Sequence, residues 1–126
     1  MSSSETVSYT EKIQEVIDSS DVALFMKGTP DLVMCGNSQR AIDALRGAGA
    51  PITAVNILPD PQIRQDLSAI SGWPTIPQVF VRGELVGGAD IVEELEASGE
   101  LEQLLRKRLG PDYAASRDEA TIALTA

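Results

Sequence analysis

The chain has 126 residues, one cysteine, no histidine and a formal charge of −9. That length suits one domain with a sizeable core, while the cysteine and histidine counts remove an internal disulfide, a zinc site of the usual ligands and any Ser/His or Cys/His nucleophile pair. The acidic balance argues against nucleic acid, whose phosphates select basic surfaces, and any metal centre has to borrow ligands from outside the chain.

Met1-Ser2-Ser3-Ser4-Glu5-Thr6-Val7 has neither a basic region nor an apolar core, and no later apolar run reaches membrane length. The expectation is a soluble protein of the reducing cytoplasm, with no membrane partner. Charge is unevenly spread. From Lys27 to Arg82 five basic residues face four acidic ones, whereas the rest carries five against fifteen. The middle of the chain either draws a small anionic ligand or simply carries scattered solvated charges.

In chain order, residues 1–9 read as a flexible N-terminus. Ile13, Val16 and Ile17 follow Thr10, a candidate N-cap, and predict an amphipathic helix from Thr10 to Ser20. Val22-Ala23-Leu24-Phe25-Met26 is a short continuous apolar run, as in a buried strand. A Gly/Pro loop leads to Cys35, and Ala41, Ile42, Leu45 and Ala48 form the stripe of a second helix starting near Ser38. Ile52 to Ile57 reads as a second strand. Asp60 caps a third helix with Pro61 in its first turn and Ile63, Leu67 and Ile70 inward.

Gly72-Trp73-Pro74-Thr75-Ile76-Pro77 is an extended loop, and Gln78 to Val81 follows as a strand that Arg82-Gly83-Glu84 joins to Leu85-Val86 in a hairpin. Asp90 with Glu93 suggests a capping box for a last helix to about Leu109, with a break at Gly99. Residues 110–126 show no sustained period and predict a mobile tail. The order helix, strand, helix, strand, helix, strand, strand, helix predicts an α/β domain over residues 10–109, a mixed four-stranded sheet sandwiched by helices.

Cys35 is the focus of the site. Ahead of a helix N-terminus it sits at the positive end of the helix dipole, which favours the thiolate that attacks disulfides and binds metals; the competing reading is a small buried hydrophobe. Lys27 either holds a ligand carboxylate and supports the thiolate or is an exposed loop lysine. Arg64 either reaches a carboxylate at the sheet edge or is solvated. The Gly88 and Ala89 amides open the last helix, where an anion can rest on the backbone. A cis Ile76–Pro77 bond would present the Ile76 backbone to an extended peptide as an added strand, with Thr75 supplying a polar contact. Ser38 stands where a second cysteine would complete a dithiol pair, and serine cannot resolve a mixed disulfide.

Met26-Lys27-Gly28-Thr29-Pro30, Cys35-Gly36-Asn37-Ser38, Trp73-Pro74-Thr75-Ile76-Pro77-Gln78 and Gly87-Gly88-Ala89-Asp90-Ile91-Val92 together resemble the monothiol glutaredoxin family, the class marked by Cys-Gly-Phe-Ser, over about Thr10 to Leu109. The resemblance implies a thioredoxin-like fold with a cis Pro77. It also implies a glutathione site in which Lys27 and Arg64 meet the glycine carboxylate, Thr75 and Ile76 pair with the tripeptide backbone, and Gly88, Ala89 and Asp90 take the glutamyl end.

A [2Fe-2S] cluster takes four thiolates; two Cys35 thiolates from two chains and two glutathione thiolates supply them. The resemblance therefore implies a cluster-bridged homodimer that passes its cluster to apo iron-sulfur proteins, with a BolA-like protein as partner. The enzyme alternative is glutathione-dependent thiol exchange through Cys35 without a cluster, and a third reading is an adaptor that only holds the BolA-like protein. Three positions depart from the family pattern: Asn37 replaces phenylalanine, Val33 a usual proline and Ala89 a common second cysteine.

Overall fold

The computed structural model describes residues 8–125. In chain order its elements are α1 (Thr10–Ser19), β1 (Val22–Met26), the short pair β2 (Gly28–Thr29) and β3 (Leu32–Val33), α2 (Gly36–Gly47), β4 (Ile52–Asn56), α3 (Pro61–Ser71), β5 (Gln78–Val81), β6 (Glu84–Gly87), α4 (Ala89–Ser98), α5 (Glu100–Leu109), a 3-10 turn over Tyr113–Ser116, and β7 (Glu119–Ile122). The main sheet runs β6-β5-β1-β4-β7. β1 pairs parallel with β4 and antiparallel with β5, and β5 and β6 form the expected hairpin. The mixed α/β sandwich of the thioredoxin-like fold is therefore present.

β1 shows why its sequence is apolar at every position. A strand covered on both faces must bury successive side chains on opposite sides. Val22, Leu24 and Met26 enter one core with Ala41, Ile42 and Leu45 of α2, Val92 of α4 and Leu101 and Leu105 of α5. Ala23 and Phe25 enter the other with Ile13 and Ile17 of α1 and Ile63 and Leu67 of α3. Phe25 meets Phe80 edge to face, 5.7 Å between centroids at 82°.

Local signals hold at several boundaries. The Asp60 carboxylate accepts the Gln62 amide at 2.9 Å and Pro61 opens α3. Gly99, at φ 83°, separates α4 from α5. The β5–β6 turn puts Arg82 and Gly83 at φ 49° and 85°, both left-handed as a two-residue hairpin requires. No helix among the described residues is long and apolar enough to cross a membrane.

Four expectations need correction. Thr10 is the first residue of α1, not its cap; Tyr9 precedes it without a side-chain capping bond. Gly88, not Asp90, is the N-cap of α4, and Asp90 and Glu93 turn their carboxylates to Arg40 instead of closing a capping box. The flexible start expected over residues 1–9 falls outside the described residues as far as residue 7, but Tyr9 is buried, its amide donating to Asp66 and its hydroxyl to Asp60, each at 2.8 Å.

Fourth, residues 110–126 were expected to be mobile; residue 126 lies outside the described residues, and 110–125 pack on the domain instead. Tyr113 is buried and its hydroxyl donates to the Ala48 carbonyl at 2.8 Å. β7 lies parallel to β4, adding a fifth strand to the four anticipated, with Ile52 opposite Glu119. Arg46 grips the Glu119 carboxylate at 2.7 and 2.9 Å, and Leu124 packs on the second core. All four β7 residues are exposed, so the segment carries no alternating pattern. Backbone pairing, one tyrosine and one ion pair hold it.

Candidate functional site

The loop from Lys27 to Cys35 folds back on itself as a ribbon. β2 and β3 pair antiparallel, Gly28 opposite Val33, and the Met34 amide donates to the Lys27 carbonyl at 2.9 Å. Gly28 sits at φ 95°, and a Cβ there would collide with the Leu32 carbonyl. Asn56, at the end of β4, accepts the Gly28 and Leu58 amides at 2.9 and 3.0 Å. The Ser38 hydroxyl, fully buried, accepts the Lys27 amide at 3.0 Å. These bonds fix the end of β1 to the start of α2 and leave Val33 in a paired strand instead of a loose loop.

Cys35 is the N-cap of α2, with extended backbone, and is half-buried. The Ser38 amide lowers its thiol pKa most, with the Asn37 amide, the Ser38 hydroxyl and the Lys27 charge acting the same way against the opposing effect of burial. The net shift is downward. A thiol so placed is more often thiolate at neutral pH than a free cysteine.

A groove of about 300 Å³ is lined by Thr75, Ile76 and Pro77 on one side and Gly88, Ala89 and Asp90 on another, with Asn37, Arg40 and Trp73. The Ile76–Pro77 bond is cis. Six of the expected ligand residues thus share one wall-to-wall depression. A Cβ on Gly88 would press on Trp73 Nε1 at 3.2 Å and the Pro77 carbonyl at 3.3 Å, so any side chain there would push the two walls apart by a few tenths of an ångström. Lys27 and Arg64 line a second depression of about 520 Å³ with Leu58 and Pro61. Arg64 also donates to the Pro74 carbonyl at 3.2 Å, which ties α3 to the Trp73–Pro77 loop.

Three contributors were given no site role in the sequence reading. Gln78 is fully buried and its amide donates to the carbonyls of Trp73 at 2.9 Å and Thr75 at 3.2 Å. Its signal was a polar residue leading an otherwise apolar strand. Asn56 closes β4 in the same fashion. Arg40 bonds Asn37, Asp90 and Glu93 at once, and nothing local in the sequence shows that α2 and α4 bring these residues together. Glu93 raises the Arg40 pKa most, followed by Asp90, and Arg40 in turn lowers that of Glu93.

A family model described as Glutaredoxin matches residues 22–86. Glutaredoxin 4 of Escherichia coli (strain K12) is 47% identical over 97 residues, covering 77% of this chain and 84% of that protein. Monothiol glutaredoxin-S11 of Oryza sativa subsp. japonica is 48% identical over 98 residues, 78% of this chain. The chain spans only 20% of the length of that rice protein and of a second plant relative, monothiol glutaredoxin-S17 of Arabidopsis thaliana. Among solved structures, reduced apo GrxS14 of poplar superposes with a TM-score of 0.70 at 42% identity, covering 79% of this chain and 91% of that one. A buckwheat glutaredoxin-glutathione complex superposes with a TM-score of 0.70 at 25% identity, covering 81% and 91%.

Proposed function

The chain belongs to the glutaredoxin family as a monothiol member, and on that premise we propose that it binds glutathione beside Cys35 and, paired with a second copy, carries a [2Fe-2S] cluster to apo iron-sulfur proteins. The observation that carries this reading is the one thiol of the chain, set at the N-cap of α2 with a lowered pKa. Ser38, in the position of a resolving thiol, is buried and committed to the Lys27 amide. An intramolecular disulfide is closed to such a chain.

The donor set fits the cargo. Among the described residues no group of three or more His, Cys, Asp or Glu side chains is placed to hold a metal ion. One thiolate per chain serves a four-thiolate cluster only when two chains and two glutathiones share it. Leu32 and Met34, 68% and 59% exposed just before Cys35, offer apolar surface for a second chain to cover. In this reading the glycine carboxylate of glutathione meets Lys27 and Arg64, its backbone pairs along Thr75 and Ile76, and its glutamyl end lies at Gly88, Ala89 and Asp90. The buckwheat relative's complex with glutathione supports that site. Apo iron-sulfur proteins and a BolA-like protein are the partners the reading carries, and the cytoplasm its compartment.

The lowered Cys35 pKa also favours a second reading, glutathione exchange. The Cys35 thiolate attacks the glutathione sulfur of a mixed disulfide, releasing the substrate thiolate and forming Cys35–glutathione; a second glutathione thiolate then attacks that sulfur, leaving as oxidised glutathione and restoring Cys35. Anaerobic reconstitution with iron, sulfide and glutathione separates the readings. Visible absorption of the [2Fe-2S] type, lost in Cys35→Ser, supports the carrier; a colourless protein that turns over a glutathionylated peptide supports exchange.

A further inference from the structure

Among the described residues Arg40 is the one cation on the walls of the 300 Å³ groove, and its guanidinium is almost fully engaged. Nε donates to Glu93 at 3.2 Å, Nη2 to Glu93 at 2.6 Å and to Asp90 at 2.7 Å, and Nη1 to the Asn37 amide oxygen at 3.1 Å. A guanidinium has five N–H bonds. One hydrogen on Nη1 is left without a partner among the described residues. Asp90 spends one carboxylate oxygen on Arg40 and its side chain is otherwise 84% exposed.

Arg40 and Asp90, both among the residues lining the groove, thus leave one donor and one carboxylate oxygen unpaired among the described residues. An isolated carboxylate would use the amides at the start of α4 and the Arg40 donor but leave Asp90 without a cation. An isolated ammonium would satisfy Asp90 and leave the Arg40 donor without an anion. A ligand end carrying both charges on one carbon meets both requirements.

We propose that Arg40 is a specificity-determining residue of this groove: its free Nη1 donor takes the α-carboxylate of the ligand while Asp90 takes the adjacent ammonium, so that the site selects a zwitterionic amino-acid end. The inference rests on the glutathione reading above and adds to it the residue that tests for the carboxylate. Asn37 shares the assignment, because its side chain holds Nη1 in place from the turn that follows Cys35.

The test uses the full chain and the symmetrical disulfides of three thiols, each set at a fixed ratio to its free thiol so that Cys35 attack releases one thiolate per adduct: glutathione, glutaryl-Cys-Gly, which lacks the ammonium, and 4-aminobutyryl-Cys-Gly, which lacks the α-carboxylate. The equilibrium yield of the mixed disulfide with Cys35 is read by intact mass for the wild type, Arg40→Gln and Arg40→Lys, with circular dichroism confirming the fold of each. The wild type should disfavour the decarboxylated thiol by about tenfold relative to glutathione. Arg40→Gln should remove most of that discrimination and keep the penalty against glutaryl-Cys-Gly, and Arg40→Lys should restore part of it. Loss of adduct by one common factor for all three thiols, or unchanged discrimination in Arg40→Gln, overturns the role given to Arg40. Absence of any adduct with glutathione in the wild type overturns the functional reading and this inference with it.

Discussion

The Ser38 hydroxyl accepts the Lys27 amide at 3.0 Å from a fully buried position, which fastens the last turn of backbone before the cysteine loop to the first turn of the helix after it. One side chain thereby sets the frame of Cys35 from both sides. It also acts on the sulfur directly, since its amide and hydroxyl both lower the thiol pKa.

Ser38→Ala keeps the amide and loses the hydroxyl. Alkylation of Cys35 followed against pH should show an inflection below that of a free cysteine in the wild type and a higher one in the variant. Stability should fall by about 1–3 kcal/mol, because the Lys27 amide loses its acceptor in a part-buried place. An unchanged alkylation profile would contradict the role given to the hydroxyl.

Lys27→Met removes the one charged side chain that contributes to the lowered thiol pKa. The alkylation inflection should rise, and the glutathione adduct should weaken by about tenfold if the same ammonium meets the glycine carboxylate. A raised inflection with unchanged adduct yield would confine Lys27 to the thiolate.

Gln78→Leu preserves bulk in a fully buried site but leaves the Trp73 and Thr75 carbonyls without the amide that joins them. Amide exchange over Trp73 to Ile76 should quicken and glutathione affinity should drop, with helix content unchanged. The strand itself has no need of that amide, so equal protection in the two proteins would show that the loop is held by other means.

Much of this frame could be read from residue patterns, and the reason is physical. The unbroken apolar run of β1 records burial on two faces, and Asp60-Pro61 records a helix start, because both depend on near neighbours. Cys35 before a helix and the groups around Thr75-Ile76-Pro77 and Gly88-Ala89-Asp90 were visible as short segments; the latter two line one groove with Asn37, two residues after Cys35, an arrangement no local pattern shows. Asp90 and Glu93 misled because their spacing fits a capping box, whereas a longer-range partner, Arg40, offers full charge pairing. The β7 segment was illegible since its stability lies in pairing with β4 and in contacts from Tyr113 and Leu124, none of which leaves a period in four exposed residues.

That strand gives a pH-dependent prediction. Arg46 holds the Glu119 pKa below its ordinary value, so the pair stabilises the fold above the unfolded carboxylate value of about 4.3 and loses that effect as pH falls through the lower folded value. Glu119→Gln should therefore cost up to about 1 kcal/mol at neutral pH, in keeping with a pair about one-third exposed and partly screened by solvent, and the gap to wild type should close in acid. A gap that persists at low pH would assign the loss to packing and not to charge.

The most direct measurement is native mass spectrometry of the anaerobically reconstituted protein, since mass counts every ligand. The account predicts a species of two chains, two glutathiones and one [2Fe-2S] unit that is absent in Cys35→Ser. A cluster-bearing species without glutathione, or a glutathione-bound monomer that never takes up iron, would contradict it.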